Sequence, residues 1–139
     1  MNVYSKKILL PPTQELDIID ITDEVGREVG TSGIQNGLVT IFVSYSTAAV
    51  TTLEYESGLV ADMRAMLERL IPSDYDYEHH KKWHDNNGHS HIRSAFLGPS
   101  LTVPIHDGAL SLGTWQQIVF IELDSKARRR EAAVTIVGE

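Results

Sequence analysis

The sequence predicts an α+β fold in which mostly antiparallel sheets fold into a sandwich-like core, with two or three helices set apart from them. Three observations predict it. The last forty residues are almost entirely short apolar and β-branched runs, Asp107-Gly108 supplies a hairpin turn among them, and helical periodicity is confined to separate segments without regular strand–helix alternation.

From the amino terminus, the residues up to Leu9 and Leu10 form a first strand that Pro11-Pro12 stops. Ile21, Val25 and Val29 recur at helical spacing, and Gly30 and Gly33 end that helix. Leu38 to Val43 is a β-branched run suited to a largely buried strand. A polar corner from Ser44 to Thr47 leads into a second run from Ala48 to Glu54, which sets Glu54 at a strand end. Ser57 caps a helix whose apolar stripe is Leu59, Met63, Met66, Leu67 and Leu70, and Pro72 cannot continue it.

Residues 73–88 are polar and rich in His, Asp and Asn, without periodicity, as in a functional loop; Trp83 in the middle favours an ordered one. Ser90 offers an N-cap for a short helix through Ile92, Ala95, Phe96 and Leu97, with Gly98 at its end and Pro99 beyond. Strands then run over Ser100 to His106, Leu110 to Leu112, Trp115 to Leu123 and Ala132 to Val137.

A length of 139 residues suits one domain, 1–139, able to bury about two thirds of its unfolded surface. No run nears the roughly eighteen apolar residues of a membrane span. The amino terminus lacks an apolar segment long enough for a secretory signal, which places the protein in the cytoplasm. A formal charge of −7 argues against binding nucleic acid over the surface, and Lys126-Ala127-Arg128-Arg129-Arg130 reads as a solvated turn in preference to an anion site. With no cysteine, any zinc-like site must use His with Asp or Glu.

Five of the six histidines fall in thirteen residues, His79 to His91, the strongest concentration of chemistry in the chain. Adjacent side chains diverge, so at most one of His79 and His80 joins a site, and His79 is preferred. His89 and His91 share a face if the backbone there is extended, and diverge if His91 starts a helix. His79, His89 and His91 would make an open three-ligand metal site, with Glu54 or Asp85 as an alternative third arm. The bland alternative is a solvated histidine-rich loop with rings bonded to Asp76, Glu78 or Asp85.

Glu54 is the candidate general base. Ser46 and Thr47 could donate to an oxyanion, although strand hydroxyls more often satisfy neighbouring backbone. Thr114-Trp115-Gln116 sets two polar side chains beside an aromatic able to stack on a planar ring, and Arg93 is the candidate phosphate clamp; a core tryptophan and a surface ion pair are their plainer readings.

These residues together resemble the YjbQ family over nearly the whole chain. The resemblance rests on Ser46-Thr47-Ala48-Ala49 followed by Glu54, on Asp62, on Tyr77-Glu78-His79 and on Asn87. It continues through Ser90-His91-Ile92, Leu97-Gly98-Pro99-Ser100, Val103-Pro104, Leu112-Gly113-Thr114-Trp115-Gln116, Glu122 and Gly138-Glu139. Tyr45 departs from it, standing where many relatives have histidine. The resemblance implies an α+β homotrimer with a histidine-rich site near a subunit boundary, holding a divalent metal, zinc first and magnesium as the alternative. It carries over best to His79 and His91, and it sets Asn87 beside Glu54 in the catalytic group.

Secondary thiamine-phosphate synthase activity, linked to members of the family, would join a pyrimidine diphosphate to a thiazole phosphate and release diphosphate. A metal would neutralise the departing phosphates, Arg93, Ser46 and Thr47 would assist, and Trp115 would stack. The competing expectations are a metal-dependent hydrolase and a metal-stabilised trimeric module that binds a small phosphorylated or heterocyclic molecule without catalysis. None of these expects a nucleic-acid or membrane partner.

Overall fold

The computed structural model describes all 139 residues, Met1–Glu139. Eight strands and four helices follow in the order β1 (Asn2–Leu9), β2 (Ile18–Asp20), α1 (Thr22–Ser32), β3 (Gly37–Phe42), β4 (Ala48–Leu53), α2 (Ser57–Leu70), α3 (Glu78–Trp83), α4 (Gly88–Leu97), β5 (Ser100–His106), β6 (Ala109–Leu110), β7 (Gln117–Glu122) and β8 (Glu131–Gly138). A five-stranded sheet runs β1-β8-β3-β5-β6 and a three-stranded sheet β2-β7-β4, with every pairing antiparallel. The expected α+β class and antiparallel sheets are the ones found; the helices number four instead of two or three.

Strand β7 explains why the sheets stack. Its apolar run is buried on both faces: Ile118 and Phe120 join Val39, Ile41, Val134 and Ile136 of the larger sheet and Val25 and Val29 of α1. Val119 and Ile121, on the opposite face, join Ile18, Ala49, Val60 and Leu67, so that α2 covers the outside of the smaller sheet. Full burial of a side chain such as Phe120 contributes about 1.5–3 kcal/mol.

Local chemistry sets the ends. Asp107 and Gly108 both have positive φ, 49° and 74°, as a two-residue hairpin turn between His106 and Ala109 requires. Helix α1 closes on Gly33 in the left-handed region. The cap of α2 is Glu56 and not Ser57: its carboxylate accepts from the Gly58 and Leu59 N–H groups at 2.7 and 2.6 Å. Two elements departed from expectation because they are too short to show a period. The three residues of β2 find their place only by pairing with β7. Helix α3, drawn from the expected loop, buries no residue and so has no apolar stripe to read.

Candidate functional site

The expected loop is a helix, a sharp turn and a second helix, with His84 and Asn86 in the left-handed region between α3 and α4. Gly88 permits the close return: a Cβ there would stand 2.7 Å from the Tyr77 Cβ and 3.0 Å from His80 Nε2, which accepts the Gly88 N–H at 2.8 Å. His79 points the other way. Its ring lies 4.6 Å from that of His91, centroid to centroid, and its Nε2 is 3.5 Å from Asp85 Oδ1. Asn87, at the N-cap of α4, turns its amide nitrogen to donate to Asp85 Oδ1 at 2.8 Å, with His79 Nε2 3.2 Å away.

Burial, and then the neighbouring His79, hold His91 below the ordinary histidine range; Asp85 and Asp124 oppose the shift without reversing it. At neutral pH the His91 ring is therefore an uncharged acceptor. Burial works against the charge of Asp124, but Arg128, the Ser125 N–H and the Asn87 amide outweigh it and hold its carboxyl below the usual range. Behind Asp124 lies a largely buried network in which Glu122 takes Arg130 on both oxygens and Thr13 at 2.6 Å, while Thr47 accepts from Arg130 at 2.8 Å and donates to Asp124 at 3.3 Å.

The metal and zinc expectation is corrected: no group of three or more His, Asp or Glu side chains converges so as to hold an ion. The reason is helical geometry. Helix α4 begins at Gly88, two residues before the expected Ser90 cap, so His89 and His91, both inside the helix and two residues apart, project about 200° from each other. His89 turns inward, 2% exposed, with Nε2 3.3 Å from Glu15. Ser90 is buried in the first helical turn.

The other expected site residues divide between two ends of the smaller sheet. Strands β4 and β7 pair Ala48 with Glu122 at one end and Leu53 with Gln117 at the other, about 17 Å away at 3.4 Å per residue. Ser46 and Thr47 lie just outside the first end; Ser46 is exposed and Thr47 is committed to the buried network. Glu54, Thr114, Trp115 and Gln116 lie at the second and are all exposed; Gln116 accepts the Gly113 N–H at 2.8 Å, closing its own turn. Arg93 is completely buried, donating to Glu68 at 2.8 Å and to the Ile71 carbonyl at 2.9 Å, and so ties α4 to the end of α2. The structure thus gathers His79, Asp85, Asn87 and His91 near Asp124, and leaves Glu54 and the Trp115 turn apart.

Sequence reasoning missed Glu122 and Arg130, having taken the basic run for a solvated turn. The available signal was one carboxylate ending the otherwise apolar run of β7, which a buried partner had to neutralise. No helix is long and apolar enough to cross a membrane.

The family model that matches, over residues 6–139, is described as UPF0047 protein YjbQ-like. A UPF0047 protein of Methanothermobacter thermautotrophicus is 41% identical over 139 residues, covering 100% of this chain and 95% of the relative. One from Archaeoglobus fulgidus is 37% identical over 124 residues, covering 89% and 94%. The crystal structure of a YbjQ-like protein of unknown function from Sulfolobus solfataricus superposes with a TM-score of 0.93 at 37% identity, covering 99% of each chain. A hypothetical protein from Aeropyrum pernix gives 0.87 at 32%, covering 100% of each chain. These descriptions carry no thiamine or transferase chemistry, which corrects the expectation of a thiamine-phosphate transferase.

Proposed function

The chain belongs to the YjbQ-like UPF0047 family, and on that premise we propose that it binds a small phosphorylated or heterocyclic molecule at the His79–His91 corner and moves a proton on it. One relationship supports the reading: two imidazoles lie 4.6 Å apart in unlike surroundings, one backed by Asp85 and Asn87 and the other partly buried. Paired titratable groups in unlike surroundings divide the roles of acid and base. His91, uncharged at neutral pH, takes the proton. Asp85 fixes the ring of His79 through Nε2, leaving Nδ1 for exchange. A cytoplasmic location, from the amino-terminal composition, and a homotrimer, from the family resemblance, are part of the same reading.

A binding module without catalysis is the second reading, favoured by the commitment of Thr47 and Arg93 to internal bonds. A panel of phosphorylated metabolites and heterocycles, screened for a rise in Tm, tests what the two readings share, because selective binding stabilises the native state. The expected hits stabilise the wild type and lose that effect in His79→Ala and His91→Ala. Hits that stabilise all three proteins equally would remove the corner from consideration. Turnover of a hit by the wild type then separates catalysis from binding.

A further inference from the structure

We propose that the cavity beside Tyr45 binds an oxyanion, phosphate or carboxylate, carried on a small organic molecule. The inference goes beyond the proton-transfer reading and stands on other residues. The cavity has a volume of about 340 Å³ and is lined by Leu9, Leu10, Tyr45, Arg129, Arg130 and Glu131. Its walls offer donors from three side chains. Arg129 is exposed and has no carboxylate partner, whereas Arg128 is paired with Asp124 at 2.7 Å and Arg130 with Glu122 at 2.8 Å. Arg130 uses Nε and Nη2 on Glu122 and Thr47, which leaves Nη1 to donate, and its guanidinium stacks 4.4 Å from the centre of the Tyr45 ring. The Tyr45 oxygen accepts the Glu131 backbone N–H at 3.0 Å, so its own proton is left to be given.

The only carboxylate in the wall, Glu131, is already paired with Lys7 at 3.3 Å. An uncompensated guanidinium beside further donors is a match for an oxyanion, because charge-assisted hydrogen bonds to phosphate or carboxylate are the strong ones. Leu9 and Leu10 give the organic part of the ligand an apolar wall. In a chain of net charge −7, such a pocket also opposes the overall field, which would otherwise repel anions.

The test titrates inorganic phosphate and acetate separately into the full chain at constant ionic strength, with chloride as the control, and follows backbone amide shifts by NMR. Saturable shifts are expected at Tyr45, Arg129, Arg130 and Glu131 with at least one of the two anions. Whichever saturates at lower concentration identifies the oxyanion. Arg129→Gln, at an exposed position, is expected to keep the fold and to weaken binding about tenfold or more, since it removes a charged hydrogen bond. Tyr45→Phe should weaken it less and Arg129→Lys should retain part of it. His79→Ala should bind as the wild type does, so that failure at the histidine corner and failure here are separate results. Shifts that stay linear with both anions, match those with chloride, or persist undiminished in Arg129→Gln would overturn the proposal.

Discussion

Arg130 grips Glu122 with two parallel hydrogen bonds, Nε to Oε1 and Nη2 to Oε2, each 2.8 Å long, where the side chains are 7% and 0% exposed. The Glu122 Oε2 also accepts the Leu123 and Asp124 N–H groups at 3.1 Å. This pair positions Asp124, and through it one side of the histidine corner. Removing one partner leaves a buried charge without compensation, which costs about 3–5 kcal/mol. Arg130→Ala is therefore expected to lose that much stability in urea unfolding; a loss under about 1 kcal/mol would show that water reaches the pair.

Asp124 makes the protein sensitive to acid. Its folded pKa lies below the ordinary aspartate value of about 3.9, so its contribution is fully present above that value and is lost as pH falls through the folded pKa. Asp124→Asn should lower stability at neutral pH and flatten the decline below pH ~4. Unfolding curves collected from neutral to acid pH measure both effects.

The neighbouring ring contributes to the low pKa of His91. Burial is the first cause and stays in place when His79 is removed, so His79→Ala should raise the His91 pKa only part of the way to the ordinary value. NMR titration of the ring protons reports it. With His91 as the base, turnover falls as pH drops through the His91 pKa in the complex, and the His79→Ala profile moves toward higher pH.

Gly88 allows the helix-to-helix turn. Gly88→Ala sets a methyl group 2.7 Å from the Tyr77 Cβ, and forced overpacking of this kind costs about 1–3 kcal/mol. Chemical denaturation measures the loss. Because His79 and His91 sit on the two helices this turn joins, their contact should loosen, read as a His91 pKa closer to the ordinary value.

Glu54 lies at the far end of β4, exposed and without an ion pair or side-chain hydrogen bond. Glu54→Gln should change stability by less than about 0.5 kcal/mol and leave binding at the histidine corner unchanged. Calorimetry with a ligand found in the Tm screen checks it; loss of binding would bring the far end of the sheet into the site.

Much of the fold was legible in the sequence because its signals are local or periodic. The β-branched runs of β3, β4 and β7, the span of α2 and the Asp107-Gly108 turn each depend on neighbours two to four residues away, and the structure keeps them, although α2 buries Val60 with Leu67 and leaves Met66 and Leu70 of the expected stripe exposed. The family was legible too, since an ordered series of short motifs survives without any geometry. The histidine concentration marked the segment in which the rings of His79 and His91 come within 4.6 Å of each other. It could not show that an earlier start to α4 turns His89 inward and dissolves the three-ligand set, because helical backbone sets residues two apart on nearly opposite faces where extended backbone would set them on one.

Only the tertiary structure decided the rest. Glu122 meets Arg130 across the β7–β8 connection, and Thr47, from ahead of β4, accepts from Arg130 and donates to Asp124; such pairings arise when a buried carboxylate needs a partner, and local spacing does not encode them. The same sheet register that builds this network separates Glu54 and Trp115 from the histidine end of the sheet by the length of the paired β4 and β7 strands. The sequence by itself determined the fold class, the family and the residues able to carry chemistry. Packing decided which of them meet, because distance between side chains is set by register and helix phase, and neither is local.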